Sequence, residues 1–352
     1  MKIIVKILSA SVALTSILSL SSTVSAHQTT YTELVKIPLY DDPMGMAYAP
    51  VGPGVVYVAN NAYDPKYNFN VSVINAKNNR LIKNIVTYSS AASGASVLGQ
   101  SPYDVIYDPY DGTVYVTNDQ QMTITPELSI ISPLYNKVMA FGGANLYSPQ
   151  SLVAGDNDSI YVNCGDRIAV VDQTTAKIKA TIKPPFAIDD TIAYGDTQVF
   201  STVFTNPDNG YVYAFDANNN KLKKTIYFAH KIAVKLIYNN HRLYVISGPS
   251  DAGLISVINT QNDKLIKNIA GFSSPYDASE GNGNIYILAP IPPRGQTGVV
   301  VFNESTDKIT SSAPLSDSPD GNRILFAEGK LFVDDTPNTT LPGWISIYKI
   351  NQ

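Results

Sequence analysis

The chain has 352 residues, of which 44% are apolar, 10% aromatic and only 15% charged, with a formal net charge of −4. That balance excludes intrinsic disorder, and 25 Lys+Arg against 29 Asp+Glu excludes a binder held by neutralising nucleic-acid phosphates. A single cysteine, Cys164, excludes a disulfide scaffold, a CxxC redox pair and covalent haem, and three histidines leave few ligands for copper or zinc.

Residues 1–26 read as a secretory signal peptide. Lys2 and Lys6 give a basic start, Ile7–Leu20 an apolar core, and Val24-Ser25-Ala26 a small-x-small cleavage signature. The apolar run is about 14 residues, short of the ~20 that cross a bilayer. Cleavage after Ala26 leaves 352 less 26, or 326, residues starting at His27, and no later stretch predicts a membrane span. The expected location is therefore outside the cell or on its surface. Cys164, in an apolar strand, reads as a small buried residue.

Next comes an alternating segment, Tyr31–Leu39, with no strand beside it in sequence to pair with. A repeat follows. Seven alternating runs share one aromatic position: Tyr57, Tyr115, Tyr161, Phe200, Tyr244, Tyr286 and Phe332, on average about 46 residues apart. A second marker keeps the same register. A polar residue is followed five positions on by a basic one at Asn75/Arg80, Ser132/Lys137, Asp172/Lys177, Asp216/Lys221, Asn259/Lys264 and Asn303/Lys308. Asn, Asp and Ser suit tight turns because their short side chains bond nearby amides and tolerate left-handed backbone. The segments after these turns alternate with period two, as in Lys264–Ile269, and read as strands.

Each unit thus predicts four short antiparallel strands. In the second they are Tyr103–Asp108, Gly112–Asn118, Leu128–Ser132 and Lys137–Phe141. Four strands in about 46 residues is the size of a propeller blade. The seventh unit has only three, near Arg323–Ala327, Lys330–Asp334 and Trp344–Ile350. Tyr31–Leu39 as its outer strand removes two exposed edges at once. The predicted fold is all-β, a single seven-bladed propeller over 27–352, closed by its N-terminal strand.

The run from Ser101 to Asn118, SPYDVIYDPYDGTVYVTN, resembles the YVTN family of β-propellers and carries that tetrapeptide at Tyr115–Asn118. The resemblance to this family, and to archaeal surface-layer and related secreted propellers, extends over essentially all of 27–352, although the literal motif occurs once. It implies a seven-bladed propeller and an exported protein; it implies no one reaction.

Function is expected on the upper face, where the innermost strands begin. The lower connections are short: Gly195-Asp196, Asn239-Asn240-His241, Gly281-Asn282-Gly283 and Glu328-Gly329. The upper ones are long: Asn61–Phe69, Ser89–Ser101, Asp119–Glu127, Gly248–Gly253, Pro290–Gly298 and Asp335–Gly343. Elaborated loops on a rigid scaffold carry binding. Aligned channel positions are Gly45, Asp104, Ser151, Thr191, Lys235, Asp277 and Gly321, and Ser-Pro-Tyr-Asp occurs at 101–104 and again at 274–277. Tyr103, Asp104, Lys235, Tyr276 and Asp277 are the candidate binding residues. The plainer reading is that Ser-Pro sets the turn and Asp bonds neighbouring backbone, which is how most such turn residues act. Four sequons, at Asn70, Asn157, Asn303 and Asn338, are candidate N-glycosylation sites. No nucleophile elbow or phosphate loop occurs. His230 and His241 suggest no metal pair. No cofactor is expected; calcium on the Asp-rich turns Asp108–Asp111 and Asp156–Asp158 is the alternative, weighed against hairpin turns built from the same residues.

The expected role is a non-catalytic platform that binds protein or glycan at the cell surface, with 23 Tyr supplying contact area. The rivals are a lactonase-like or quinoprotein-like enzyme at the channel mouth, and a subunit supporting a redox partner.

Overall fold

A computed structural model describes residues 29–39, 42–61, 70–87, 100–120, 128–142, 146–203, 210–228, 232–248, 253–316, 321–335 and 343–351. The signal segment, its cleavage point, His230, the sequon at Asn338 and most of the upper connections lie outside these residues. The described residues form strands and turns, with no helix.

The first strand is β1 (Thr30–Pro38). Blade 1 follows as β2–β5 (Asp42–Ala49, Val55–Asn61, Asn70–Asn75, Arg80–Val86) and blade 2 as β6–β9 (Gln100–Asp108, Thr113–Gln120, Leu128–Ser132, Lys137–Gly142). Blade 3 is β10–β13 (Leu152–Gly155, Ser159–Asn163, Ile168–Asp172, Ile178–Ile182), and blade 4 is β14–β17 (Ile188–Gly195, Gln198–Val203, Gly210–Asp216, Lys221–Phe228). Blade 5 is β18–β21 (Ala233–Asn239, Arg242–Ser247, Gly253–Asn259, Lys264–Phe272), and blade 6 is β22–β25 (Asp277–Gly281, Asn284–Ile291, Gln296–Asn303, Lys308–Pro314). Blade 7 has β26–β28 (Ile324–Ala327, Lys330–Asp335, Trp344–Asn351). Every sheet is a four-stranded antiparallel meander in chain order, except that β1 forms the outer strand of blade 7, in the order β1-β28-β27-β26. Thr30 pairs with Asn351 and Pro38 with Trp344. The expected closure is thus the observed one.

Burial explains why these residues form these strands. Second and third strands are buried on both faces, as in β11 and β15 and in β8. Outer strands face solvent and alternate, as in β17 and β21. The seven repeated aromatics are all core residues, none more than 2% exposed. The core has no single centre: it is seven apolar seams, one between each pair of neighbouring blades. The first joins Ala49 and Tyr57 to Val105 and Val116; the last joins Ile37 and Phe332 to Val56 and Val58, across the closure.

The five-residue marker has a backbone cause. The residue before each basic one is left-handed: Asn79, Asn136, Ala176, Asn220, Asp263 and Asp307. In five of the six turns the leading Asn or Asp accepts amide hydrogens within the turn, as Asn75 does from Lys77 and Asn78, both at 3.0 Å. The lower connections in blades 4 to 7 are two-residue turns with both residues left-handed: Asp196-Thr197, Asn240-His241, Asn282-Gly283 and Glu328-Gly329. That is the mirror-image turn whose twist matches antiparallel strands. Two expectations need correction. Pro290–Gly298 is not a long loop, since Pro290 pairs with Thr297 and Ile291 with Gln296; the pairing continues because one face of the ladder still packs on Ala313 and Pro314. The channel position of blade 7 is Arg323, four residues before the strand end as in the other blades, and not Gly321. Gly321 instead lies under the backbone of Asp334, where a Cβ would come within 2.2 Å of its carbonyl oxygen.

Candidate functional site: the two mouths of the channel

The innermost strands surround a central cavity of about 500 Å³. Tyr103, Asp104, Lys235, Tyr276 and Asp277 all line it, so five residues chosen from three separate segments do converge on one cavity. Gly45, Ser151 and Thr191 line it as well. Sequence reasoning missed Arg323, Asp189 and Asp190, which also line it, and Asp334 behind them. The signal for Arg323 was available, since counting back from the strand end selects it.

The two Ser-Pro-Tyr-Asp copies do the same structural work. Asp277 Oδ2 accepts the amide of Ile324, in blade 7, at 3.1 Å, while Oδ1 pairs with Lys235 Nζ, in blade 5, at 3.3 Å. One carboxylate therefore joins three blades. Asp104 accepts its neighbour Val105 N at 2.9 Å and the amide of Leu152, in blade 3, at 3.4 Å. Room for Asp104 exists because position 45 is glycine: a Cβ there would lie 2.5 Å from Asp104 Oδ1. Burial pushes the Asp104 carboxyl above the usual range, and Lys235, the Val105 amide and Arg323 hold it partly down.

Arg323 is the hub opposite. Its Nε donates to the Met44 carbonyl, in blade 1, at 2.6 Å. Burial works against its charge, but Asp277, Asp334 and Asp104 outweigh that and raise its pKa. Asp334 is 1% exposed and accepts the amides of Asn322 and Arg323 at 2.6 and 2.7 Å. Its pKa is pushed up to about 7, first by burial, against the pull of these amides and of the Arg323 guanidinium. Tyr103 Oη donates to Asp190 Oδ2 at 3.2 Å, and burial followed by Asp190 raises its pKa to about 12. Burial, with help from the charge of Asp190, also raises Asp189. Tyr276 is 36% exposed at the rim. Chemically, the upper mouth offers two aromatic rims, one exposed carboxylate at Asp190, and an ionic ring already spent on holding blades together. Among the described residues, no three His, Cys, Asp or Glu side chains are placed to hold a metal ion.

The lower mouth is built differently. Tyr48, Tyr107, Tyr194, Tyr238 and Phe326 occupy the same position, one residue before the strand end, in five blades. Three of these rings lie against the terminal glycine of the preceding blade's innermost strand. A Cβ on Gly195 would meet the Tyr238 ring at 2.3 Å, one on Gly281 the Phe326 ring at 2.0 Å, and one on Gly155 the Tyr194 ring at 3.1 Å. Hydroxyls are capped by acids in the preceding blade's turn: Tyr48 by Glu328, Tyr194 by Asp156, and Tyr238 by Asp196. Of the sequons, Asn157 Nδ2 donates to Tyr161 Oη at 2.9 Å and Asn303 Nδ2 to Asn284 Oδ1 at 3.1 Å. Asn70 opens β4.

The chain is a seven-bladed β-propeller. No protein-family model matches the sequence, and no curated protein does. Among solved structures, 1313 chains match, so the likeness is to a widely used architecture. One, from a structure titled "Crystal Structure of Mitotic Checkpoint Complex", superposes with a TM-score of 0.71 at 12% identity, over 100% of this chain and 99% of that one. At that identity the likeness is one of fold.

Proposed function

We propose that this chain is an exported, non-catalytic propeller that binds a protein or a glycan at the cell surface through its upper mouth, as a YVTN-type envelope component. One observation carries the reading. The two carboxylates best placed for channel chemistry, Asp104 and Asp277, are occupied by the amides of the next blade, while Tyr276 stands exposed at the rim and Tyr103 and Asp190, hydrogen-bonded to each other, present their remaining surface there. Aromatic side chains around a polar floor give contact area at small entropic cost. The solved neighbour comes from a multi-protein complex by its title, which fits a platform role. Export rests on the N-terminal signature alone.

The test uses the double variant Tyr103→Ala, Tyr276→Ala, because alanine at Asp104 or Asp277 would disturb the ring itself. Purified mature protein is applied to intact producing cells and to a glycan array. Binding is expected for the parent and lost, with an unchanged melting temperature, for the variant. Equal binding by both overturns the upper-mouth assignment. Intact mass of the secreted protein is expected to match a chain starting at His27; retention of Met1–Ala26 overturns export by cleavage. Turnover of a lactone that disappears on chelation would overturn the non-catalytic reading.

A further inference from the structure

The lower mouth holds a second cavity, of about 540 Å³, between the innermost strands of blades 2 to 5. Its walls include Tyr107, Tyr110, Tyr194 and Tyr238, and its polar lining includes Asp156 and Asp196. No Lys, Arg or His lines it. The volume is that of a small-ligand site.

We propose that this cleft binds the cationic side chain, arginine or lysine, of a protein partner. Negative charge beside aromatic surface selects that class. Tyr194 and Tyr238 have already given their hydroxyl protons to Asp156 and Asp196. Thr197 Oγ1 donates to the carbonyl of Asp196 at 2.6 Å. The cleft is left with the Asp156 carboxylate as its charged acceptor, with aromatic surface, and with the Tyr107 and Tyr110 hydroxyls as its further polar groups. A guanidinium or ammonium group donates only, and its charge is matched by that carboxylate. Such a cation also gains from aromatic faces, by about 0.5–1 kcal/mol where exposed and more where desolvated.

Electrostatics agree with the geometry. Tyr110, 60% exposed at the rim, is held in the field of both Asp156 and Asp108, and after burial these two carboxylates raise its pKa. Of the basic groups on this face, Lys179 donates to the Asp158 carbonyl at 2.7 Å. His241 Nδ1 meets Asp196 Oδ1 at 2.6 Å and Thr260 Oγ1 donates to Asp196 Oδ2, so Asp196 is already satisfied and Asp156 is the carboxylate that faces a ligand. The upper ring differs, because Lys235 and Arg323 there balance Asp104 and Asp277. One exposed carboxylate, Asp156, set among tyrosine rings with no basic residue in the lining, is what distinguishes the lower cleft.

The experiment is a titration of the mature protein with Nα-acetylarginine methylamide, followed by backbone amide NMR, with the isosteric neutral citrulline derivative as control. Arginine is expected to shift amides around Tyr110, Asp156 and Gly195, weakening as salt is raised, and citrulline is expected to shift none of them. Tyr110→Ala and Asp156→Asn are each expected to weaken arginine binding about tenfold. Asn keeps an acceptor for Tyr194, and Tyr110 is exposed, so an unchanged melting temperature serves as the control for folding. Equal response to citrulline, no response to either compound, or a response to a neutral disaccharide in place of arginine overturns the proposal. Shifts confined to the upper mouth overturn it too.

Discussion

At the upper end of the innermost strands, neighbouring blades are joined by carboxylates that reach the next blade's amide. At the lower end of the same strands they are joined by aromatic rings laid on glycine. The upper fastening is electrostatic: Asp277, Asp104 and Asp334 are buried or half-buried charges whose value depends on protonation and on Arg323. The lower one is steric: Tyr238 on Gly195 and Phe326 on Gly281 depend on the absence of one methyl group. The two ends should therefore fail under different provocations, pH at the top and added volume at the bottom.

The largest effect tests whether either fastening suffices without a closed ring. Deleting Tyr31–Leu39 removes the buried Tyr31, Ile37 and Leu39, each worth roughly 1.5–3 kcal/mol. It also opens an edge along β28. The expected loss is comparable with the whole stability of a domain, on the order of 5–15 kcal/mol, with aggregation through the open edge. Thermal unfolding and light scattering check it, and an unchanged melting temperature would break the closure model.

A pH titration read with a variant separates the upper end from Asp108, at the lower end, whose carboxyl burial raises to about 6. Asp334 titrates near 7 in the folded chain and near 3.9 in an unfolded one. The folded state thus holds the proton more tightly. The contribution of this group is fully present below about pH 4, declines as pH rises, and is exhausted above about pH 7, a span worth up to about 4 kcal/mol. Denaturant melts at pH 5 and pH 8 should show the parent weaker at pH 8, with most of that difference gone in Asp334→Asn. A difference that persists in the variant assigns it to another group.

A single methyl group isolates the lower end. Gly195→Ala places a Cβ on the Tyr238 ring, and overpacking of this kind costs roughly 1–3 kcal/mol. The loss should be the same at pH 5 and pH 8; a pH-dependent loss would show that the two ends are not independent. Smallest and opposite in sign is Thr197→Gly. Thr197 is a β-branched residue with φ of 55°, a conformation that costs about 1–2 kcal/mol for a side chain of L configuration. Glycine's extra freedom in the unfolded chain offsets part of this, so the expected gain in stability is about 0.5–1 kcal/mol, read as a higher denaturant midpoint.

The periodic parts of this molecule were legible in the sequence. Tyr57 and its six counterparts recur because every seam needs a large side chain at one depth. The spacing from Asn75 to Arg80 recurs because the left-handed residue between them tolerates few alternatives. The spare strand Tyr31–Leu39 could be matched to blade 7 by counting alone. What escaped was any relation between residues in different repeats. Nothing local to Tyr194 points to Asp156, nor local to Gly45 to Asp104, since these meet only when neighbouring blades pack. Blade 7 misled the alignment by two residues because its innermost strand is short and lacks the Tyr-Asp landmark. The upper mouth was found from its duplicated Ser-Pro-Tyr-Asp. The lower cleft was passed over because short turns suggested an idle face, although its substance lies in the strand ends above them.

The pairing of Thr30 with Asn351 also governs the order of events as the chain folds. Six blades can each form from contiguous sequence, by local hairpins that close quickly. The seventh must unite the earliest-made strand with the last. Closing a loop of that length carries an entropic cost that grows only logarithmically with length, yet its large sequence separation makes the step slow. The same strand becomes a latch: loss of β1 from β28 is the shortest route to an open ring. The lifetime of the native protein is then set by the off-rate of one nine-residue strand, so substitutions along β1 should alter unfolding rates more than folding rates.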